Sequence, residues 1–114
     1  MIIDFPWPPK ELSPNARLHW AVTARAKKIY RTACWGLTKE RIKTQSFKDC
    51  DKILLKITFY PPSKRHYDLD NCVASMKAGL DGIADALQVN DNKFEIDPKW
   101  GDKVLGMVTV EICT

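Results

Sequence analysis

Two aspartates in the segment Asp68-Leu69-Asp70-Asn71 are the residues best suited to chemistry in this chain of 114 residues. Two carboxylates so close in sequence repel each other unless a cation or hydrogen-bond donors hold them. Their hard oxygens are also the ligands that Mg²⁺ prefers in proteins. The alternative is helix capping, in which an acidic side chain accepts hydrogen bonds from the free N–H groups of a first helical turn. Capping explains one aspartate better than two, so both interpretations stay open.

A lysine and a third acidic residue follow at positions that could join this pair. On a continuous helix with about 100° per residue, Lys77 and Asp81 lie within roughly 20° of Asp70, one on either side. Asp91 lies in the turn Asn90-Asp91-Asn92, just beyond that helix. We expect the following strand to carry Asp91 back to the sheet edge near Asp68.

The chain offers no conventional nucleophile and base pair. It contains no G-x-S-x-G elbow, no phosphate-binding P-loop and no glycine-rich dinucleotide turn. Carboxylates and a lysine remain, and they suit Mg²⁺-assisted phosphodiester hydrolysis, in which the metal activates water and the ammonium supports the charged phosphate. We expect no small-molecule cofactor.

Hydrophobic periodicity predicts the elements that must position these residues. A long amphipathic helix is expected over residues 18–43, with a break allowed near Gly36. Its predicted core stripe consists of Val22, Ala26, Ile29, Ala33 and Leu37, with Tyr30 widening it. A second helix is expected from about Asp70 to Leu87, and strands are predicted at residues 1–5, 52–60, 94–100 and 104–112. This order predicts one α+β domain over residues 1–114, with two main helices packed on one face of a small mixed sheet.

The positive charge is concentrated in the first half of the chain. The net charge is +4, but residues 1–50 carry 10 Lys/Arg against 4 Asp/Glu, whereas residues 51–114 carry 8 against 10. Such a division suits a protein that holds phosphates with one part and metal ions with the other, although solvation of a long helix explains it equally well. The cations expected to contact DNA are Lys27, Lys28, Arg31, Lys64 and Arg65. His66 is expected to contact a phosphate or to lie in a solvated loop rather than to act as a base.

Composition also argues against several other classes of protein. The four cysteines show no C-x-x-C pair or zinc-finger spacing, so reduced, separately packed thiols are expected. No apolar stretch reaches the roughly 18 residues of a membrane helix, and the start lacks the features of a signal peptide. We therefore expect a cytoplasmic protein without a membrane partner. At least three of Trp7, Trp20, Trp35 and Trp100 are expected to pack in the core or at a dimer interface rather than to stack on bases.

Taken together, these motifs resemble the RusA family of Holliday-junction resolvases, the crossover junction endodeoxyribonucleases. The resemblance rests on D-L-D-N opening a helix, a lysine within that helix, an acidic turn about twenty residues later, and the opening Pro6-Trp7-Pro8-Pro9. It extends over nearly the whole chain, although each motif is short. Two positions depart from the family pattern. Lys77 lies about one turn later than the usual lysine, where this chain has Ala74, and Tyr67 stands where a basic residue is common.

The resemblance implies a function and a set of site residues. It implies that Asp68, Asp70 and Asp91 bind Mg²⁺, with Mn²⁺ able to substitute, and that Lys77 assists catalysis. It further implies a homodimer that cleaves four-way junctions symmetrically in DNA recombination and repair, usually encoded by a phage or prophage. Two alternatives remain: a non-catalytic phage DNA-binding accessory protein, and a nuclease that acts on other substrates such as flaps, forks or RNA.

Overall fold

Alternating apolar residues build a four-stranded mixed sheet in the computed structural model, which describes residues 1–114. The strands are β1 (Ile2–Pro6), β2 (Ile53–Tyr60), β3 (Phe94–Trp100) and β4 (Met107–Cys113), in the spatial order β1-β4-β2-β3. β3 runs parallel to β2, and the other two pairings are antiparallel. Along β2 every second side chain is fully buried, which is the pattern of a strand with one core face.

Three helices cover the buried face of this sheet. They are α1 (Trp20–Ile42), α2 (Leu69–Ser75) and α3 (Lys77–Leu87), with single 3-10 turns at Lys10–Leu12 and Asp91–Lys93. Side chains from the strands and the helices form one hydrophobic core of 20 buried residues. The predicted α+β fold class, with helices on one face of a small mixed sheet, is confirmed.

The second predicted helix is in fact two helices that meet at Met76. The backbone of Met76 has φ −83° and ψ −8°, in the bridge region, and its N–H donates to the carbonyls of both Cys72 and Val73. The Met76 side chain is fully buried, and its sulfur lies 3.3 Å from the Tyr30 hydroxyl. A regular apolar stripe cannot reveal this interruption, because the stripe continues through it. Met76 packs against Tyr30 of α1 at the position where α2 ends and α3 begins.

The stripe predicted for α1 is centred on the wrong face, although Tyr30, at its edge, is buried as expected. The residues of α1 that are buried are Tyr30, Cys34, Thr38 and Ile42. Val22 and Ile29, which were predicted to be buried, are 44% and 62% exposed. Ala26 and Leu37 pack against the edge of the core, and the helix runs through Gly36 without a break. The orientation of α1 follows from its contact with α3 rather than from its own apolar pattern.

That contact depends on two glycines of α3. A Cβ atom at Gly82 would overlap the carbonyl oxygen of Arg31, and one at Gly79 would lie 2.8 Å from a ring carbon of Tyr30. The two helix backbones therefore approach closely only because these positions carry no side chain. Beside this crossing, the Arg31 guanidinium makes a bidentate ion pair with Asp85, at 2.6 and 2.9 Å. Asp85 thereby joins α3 to α1 at the crossing.

The last strand begins three residues later than predicted, at Met107 instead of Val104. Gly106 has a positive φ of 68°, and the N–H groups of Leu105 and Gly106 both donate to the Pro61 carbonyl. This turn keeps residues 104–106 from pairing as part of the strand, although they continue its alternating pattern. Glycine adopts the backbone conformation of the turn without strain. None of the helices combines the length and the apolar character needed to cross a bilayer.

The tryptophans are less buried than the sequence suggested. Trp7 packs against the core, but Trp20, Trp35 and Trp100 are 76%, 43% and 41% exposed. The core of the single chain accounts for Trp7, and the expectation that at least three of the four pack in the core or at a dimer interface stays a prediction for the others.

Candidate active site

The N-terminus of α2 presents the two aspartates of the D-L-D-N segment. Asp68 is the N-cap residue, and its Oδ1 accepts hydrogen bonds from the N–H groups of Asp70 (2.9 Å) and Asn71 (3.3 Å). Asp70 is exposed in the first turn, and its carboxylate makes no hydrogen bond within the chain. Side-chain capping therefore accounts for Asp68, whereas Asp70 has only the general preference of a first helical turn for negative charge.

Lys77, the first residue of α3, lies between two carboxylates. Its Nζ donates to Asp81 Oδ1 at 2.9 Å and to Asp91 Oδ2 at 2.7 Å. The hydrogen bond to Asp91 is the largest cause of a raised pKa at Lys77, and the same contact lowers the pKa of Asp91. Because each charge stabilises the other, Lys77 is an ammonium and Asp91 a carboxylate at neutral pH.

The structure does not bring Asp68, Asp70 and Asp91 together as predicted. No group of three or more His, Cys, Asp or Glu side chains lies close enough to hold a metal ion. Asp91 is instead drawn to the Lys77 ammonium, where it shares this cation with Asp81. The predicted alignment of Lys77 with Asp81 is confirmed, because both lie on α3. The alignment of Asp70 with Lys77 assumed an unbroken helix, whereas Met76 interrupts it and the Lys77 ammonium contacts Asp81 and Asp91.

Asp68, Lys77, Asp81 and Asp91 lie along a cleft made of three adjoining cavities. The central cavity, of about 780 Å³, separates the loop of residues 11–16 from α1 and from the junction of α2 and α3. It shares Arg31, Lys77 and Asp81 with a second space of about 350 Å³, here called the Asp91 cavity. It shares Ser13 and Ser75 with a third space of about 350 Å³, here called the Asp68 cavity. One surface therefore connects Asp68 to Asp91.

Most of the predicted DNA-binding residues line this cleft. Lys27, Lys28 and Arg31 form the α1 wall of the central cavity, opposite the loop of residues 11–16. Arg65 and His66 line the Asp68 cavity, and the Arg65 guanidinium lies 4.7 Å from the centre of the Tyr67 ring. Lys64 and Asp70 are exposed but line none of the three cavities.

Four polar residues of the cleft were missed by the sequence analysis: Ser13, Asn15, Asn71 and Ser75. Asn71 was quoted only as part of a motif, and the other three fall on a loop and on the outer turn of a helix. No sequence spacing relates a residue near position 13 to one near position 75. Their proximity arises only when the N-terminal loop folds against α2.

Mg²⁺ suits the chemistry of the donors at α2. Asp68 uses one carboxylate oxygen for the cap and makes no hydrogen bond within the chain with the other, and Asp70 is free to bind through both of its oxygens. In proteins Mg²⁺ is commonly held by one or two carboxylates, with water and substrate phosphates completing its coordination. Asp68 and Asp70 thus offer carboxylate oxygens of the type that Mg²⁺ takes, at the exposed start of α2.

Comparison with known proteins identifies a bacterial relative of this chain. The chain is 36% identical over 120 aligned residues to an uncharacterized protein of Xylella fastidiosa (strain Temecula1 / ATCC 700964). The alignment covers 96% of this chain and 74% of the relative. The chain belongs to the same family as this protein. No family model matches the sequence.

Proposed function

We propose that this protein is a Mg²⁺-dependent endodeoxyribonuclease that cuts branched DNA, with the four-way junction as its substrate. The observation that carries the proposal is the cleft, which links Asp68 at the start of α2 to Lys77 and Asp91 past a wall of Lys27, Lys28 and Arg31. A phosphodiester strand suits such a surface because cations attract its charge, whereas unpaired carboxylates repel it. The resemblance of the D-L-D-N motif and its surroundings to RusA resolvases supports the same substrate.

The residues divide the work of hydrolysis between the two ends of the cleft. Asp68 and Asp70 would hold Mg²⁺, with Mn²⁺ able to replace it. When bound, the ion lowers the pKa of a coordinated water and stabilises charge on the phosphate oxygens. Lys77 supplies a fixed ammonium for the phosphate or for the leaving oxygen, and Asp81 and Asp91 hold that ammonium in place. Asp91 thus has a structural role toward Lys77 beside the metal-binding role that the family resemblance implies.

We also propose that the active protein is a homodimer that acts in recombination or repair in the cytoplasm. Symmetric cutting of two strands requires two sites related by a two-fold axis, which a homodimer provides.

The proposal is tested by a cleavage assay with four-way junction, fork, flap and linear duplex, each with and without Mg²⁺ or Mn²⁺. We expect metal-dependent, symmetric cutting of the junction, by a species with twice the mass of the chain in light scattering. Preferred cutting of the flap or the fork would identify that structure as the substrate and leave the proposed hydrolysis reaction unchanged. Tight junction binding without cutting under any metal would favour the non-catalytic accessory protein.

A further inference from the structure

The Asp68 cavity is too small for duplex DNA but has the size of a small-ligand site. Its volume of about 350 Å³ falls at the lower end of the range of roughly 300–1,000 Å³ that is typical of such sites. A duplex could only lie across its mouth. One nucleotide that has left the base stack has the right size to enter.

Aromatic side chains form one side of this cavity. The Trp7 ring packs edge-on against Tyr67, with centroids 5.6 Å apart, and against the buried Phe59 at 6.0 Å. These contacts restrict the Trp7 and Tyr67 rings, and the exposed His66 lies beside them. Rings of this kind stack on unpaired bases with little dependence on sequence, because every base has a π face.

Polar groups that could recognise a base edge face the same space. Asn15 and Asn71 line the cavity, and neither side-chain amide makes a hydrogen bond within the chain. Each amide carries both donors and an acceptor, which is the combination that pairs with the edge of a base. Lys10 and Arg65 add positive charge at the same cavity, next to Asp68.

We propose that the Asp68 cavity binds one unpaired nucleotide of the branched substrate, with its base against Trp7, His66 and Tyr67 and its edge on Asn15 and Asn71. The inference rests on the proposed function, which it deepens by naming the part of the DNA that enters. The strand would continue over Ser13 and Ser75 into the central cavity, where Lys27, Lys28 and Arg31 can meet its phosphates. The unpaired nucleotide would thereby place the neighbouring phosphate beside Asp68.

The test uses DNA with 2-aminopurine as a single unpaired nucleotide, in a buffer with EDTA so that no strand is cut. We expect the fluorescence of 2-aminopurine to change on binding, because the base moves from the DNA into contact with the aromatic side chains of the cavity. Asn71→Ala and Asn15→Ala should each weaken binding of this DNA by about 10-fold, the usual scale for removing one amide hydrogen bond to a base. Both variants should bind fully paired duplex as the wild type does.

Gln45→Ala is the matched control, because Gln45 carries an exposed amide on the loop after α1, outside the cleft. It should leave both affinities unchanged. Unchanged fluorescence on binding, or wild-type affinity of both asparagine variants for the DNA with the unpaired base, would overturn the proposal. Free deoxyadenosine monophosphate that competes at the affinity of the DNA would also overturn it, in favour of a mononucleotide site.

The proposed function fails or stands independently of this result. If junctions remain uncut with every metal while the asparagine variants still lose the unpaired base selectively, the cavity is confirmed and the nuclease is not. If junctions are cut and the fluorescence does not respond, the nuclease stands and the cavity proposal is wrong.

Discussion

At the scale of single residues, the acidic site residues Asp68, Asp70, Asp81 and Asp91 differ in what already holds them. Asp68 caps α2, and Asp91 shares the Lys77 ammonium with Asp81. Asp70 alone has no partner within the chain. A solvated carboxylate beside a phosphate-binding surface opposes DNA binding unless a cation joins it. Substitution of Asp70 is therefore the most direct test of the metal hypothesis.

Asp70→Asn should abolish cleavage while leaving junction affinity unchanged or tighter. The change removes a ligand charge and a repulsion toward phosphate, yet nearly preserves the shape of the side chain. Cleavage rates and binding constants of the purified variant measure the two effects separately. Asp102→Asn, at an exposed turn residue, is the control and should cut normally. Near wild-type cutting by Asp70→Asn would exclude Asp70 as a metal ligand.

Lys77→Ala should slow cleavage strongly without changing the fold. Removal of one preorganised charge of this kind typically costs about 10²–10³ in rate, as for an oxyanion-hole donor. Lys77→Arg should recover only part of the rate, because a planar guanidinium does not reproduce a compact ammonium between two carboxylates. Single-turnover rates at saturating metal provide the measurement, with Lys103→Ala as the exposed control. A fully active Lys77→Ala would mean that the lysine only joins α3 to the turn that contains Asp91.

At the scale of elements, the crossing of α1 and α3 determines the shape of the cleft. α1 contributes the basic wall and α3 contributes Lys77 and Asp81, so the separation of these helices sets the width of the central cavity. The close approach at Gly82 and the ion pair of Arg31 with Asp85 fix this separation. Changes at the crossing should therefore affect both stability and cleavage.

Gly82→Ala and Gly36→Ala should change stability in opposite directions, although both replace a glycine in a helix. A Cβ at Gly82 would overlap the backbone of α1, and overpacking of this kind typically costs about 1–3 kcal/mol. A Cβ at Gly36 would meet no atom within 4 Å, so alanine should stabilise α1 by roughly 0.5–1 kcal/mol. Urea unfolding of the two variants measures the free energies of unfolding. Equal effects at both positions would contradict the close crossing.

The ion pair of Arg31 with Asp85 should make stability depend on pH at the acid end. The hydrogen bond from Arg31 lowers the pKa of Asp85, so its contribution is present above the ordinary aspartate value of about 4 and is lost as pH falls through the lower folded value. Asp85→Asn should therefore destabilise the protein at pH 7 and have little effect at pH 2. Because both side chains are largely exposed, the difference should be at most about 1 kcal/mol. A difference independent of pH would show that the pair contributes through packing alone.

At the scale of the whole molecule, the difference in charge between the two halves of the chain can be assigned to particular surfaces. The cations of residues 1–50 that were predicted to bind DNA lie on the α1 wall, and the acidic site residues come from the second half of the chain. The cleft forms where the two halves meet. DNA affinity should therefore depend both on this wall and on salt.

Junction binding should weaken steeply with salt, because each phosphate that a cation neutralises releases a counterion. The variant Lys27→Ala/Lys28→Ala should reduce the slope of log affinity against log salt by about 1 for each of the two lysines that binds a phosphate. Lys99→Ala/Lys103→Ala, which removes the same charge from exposed positions outside the three cavities, is the control and should leave the slope nearly unchanged. Equal slopes in the two double variants would show that the basic wall is only solvated.

The sequence by itself determined the elements that rest on local patterns. Alternation predicted β2, and the apolar periodicity predicted both helical regions, because each pattern is a property of neighbouring residues. The D-L-D-N segment was correctly placed at the start of a helix for the same reason. The α+β class followed from the order of these elements along the chain.

Only the tertiary structure decided how the elements face one another. The buried face of α1 and the pairing of Lys77 with Asp91 depend on contacts between residues far apart in sequence, and the interruption at Met76 lies where α2 and α3 pack against α1. Periodicity reports that a helix has an apolar side, but neighbouring elements select which side is buried when several are partly apolar. The close packing allowed by Gly82 selected it here, and that packing also formed the cleft that no spacing of residues predicted.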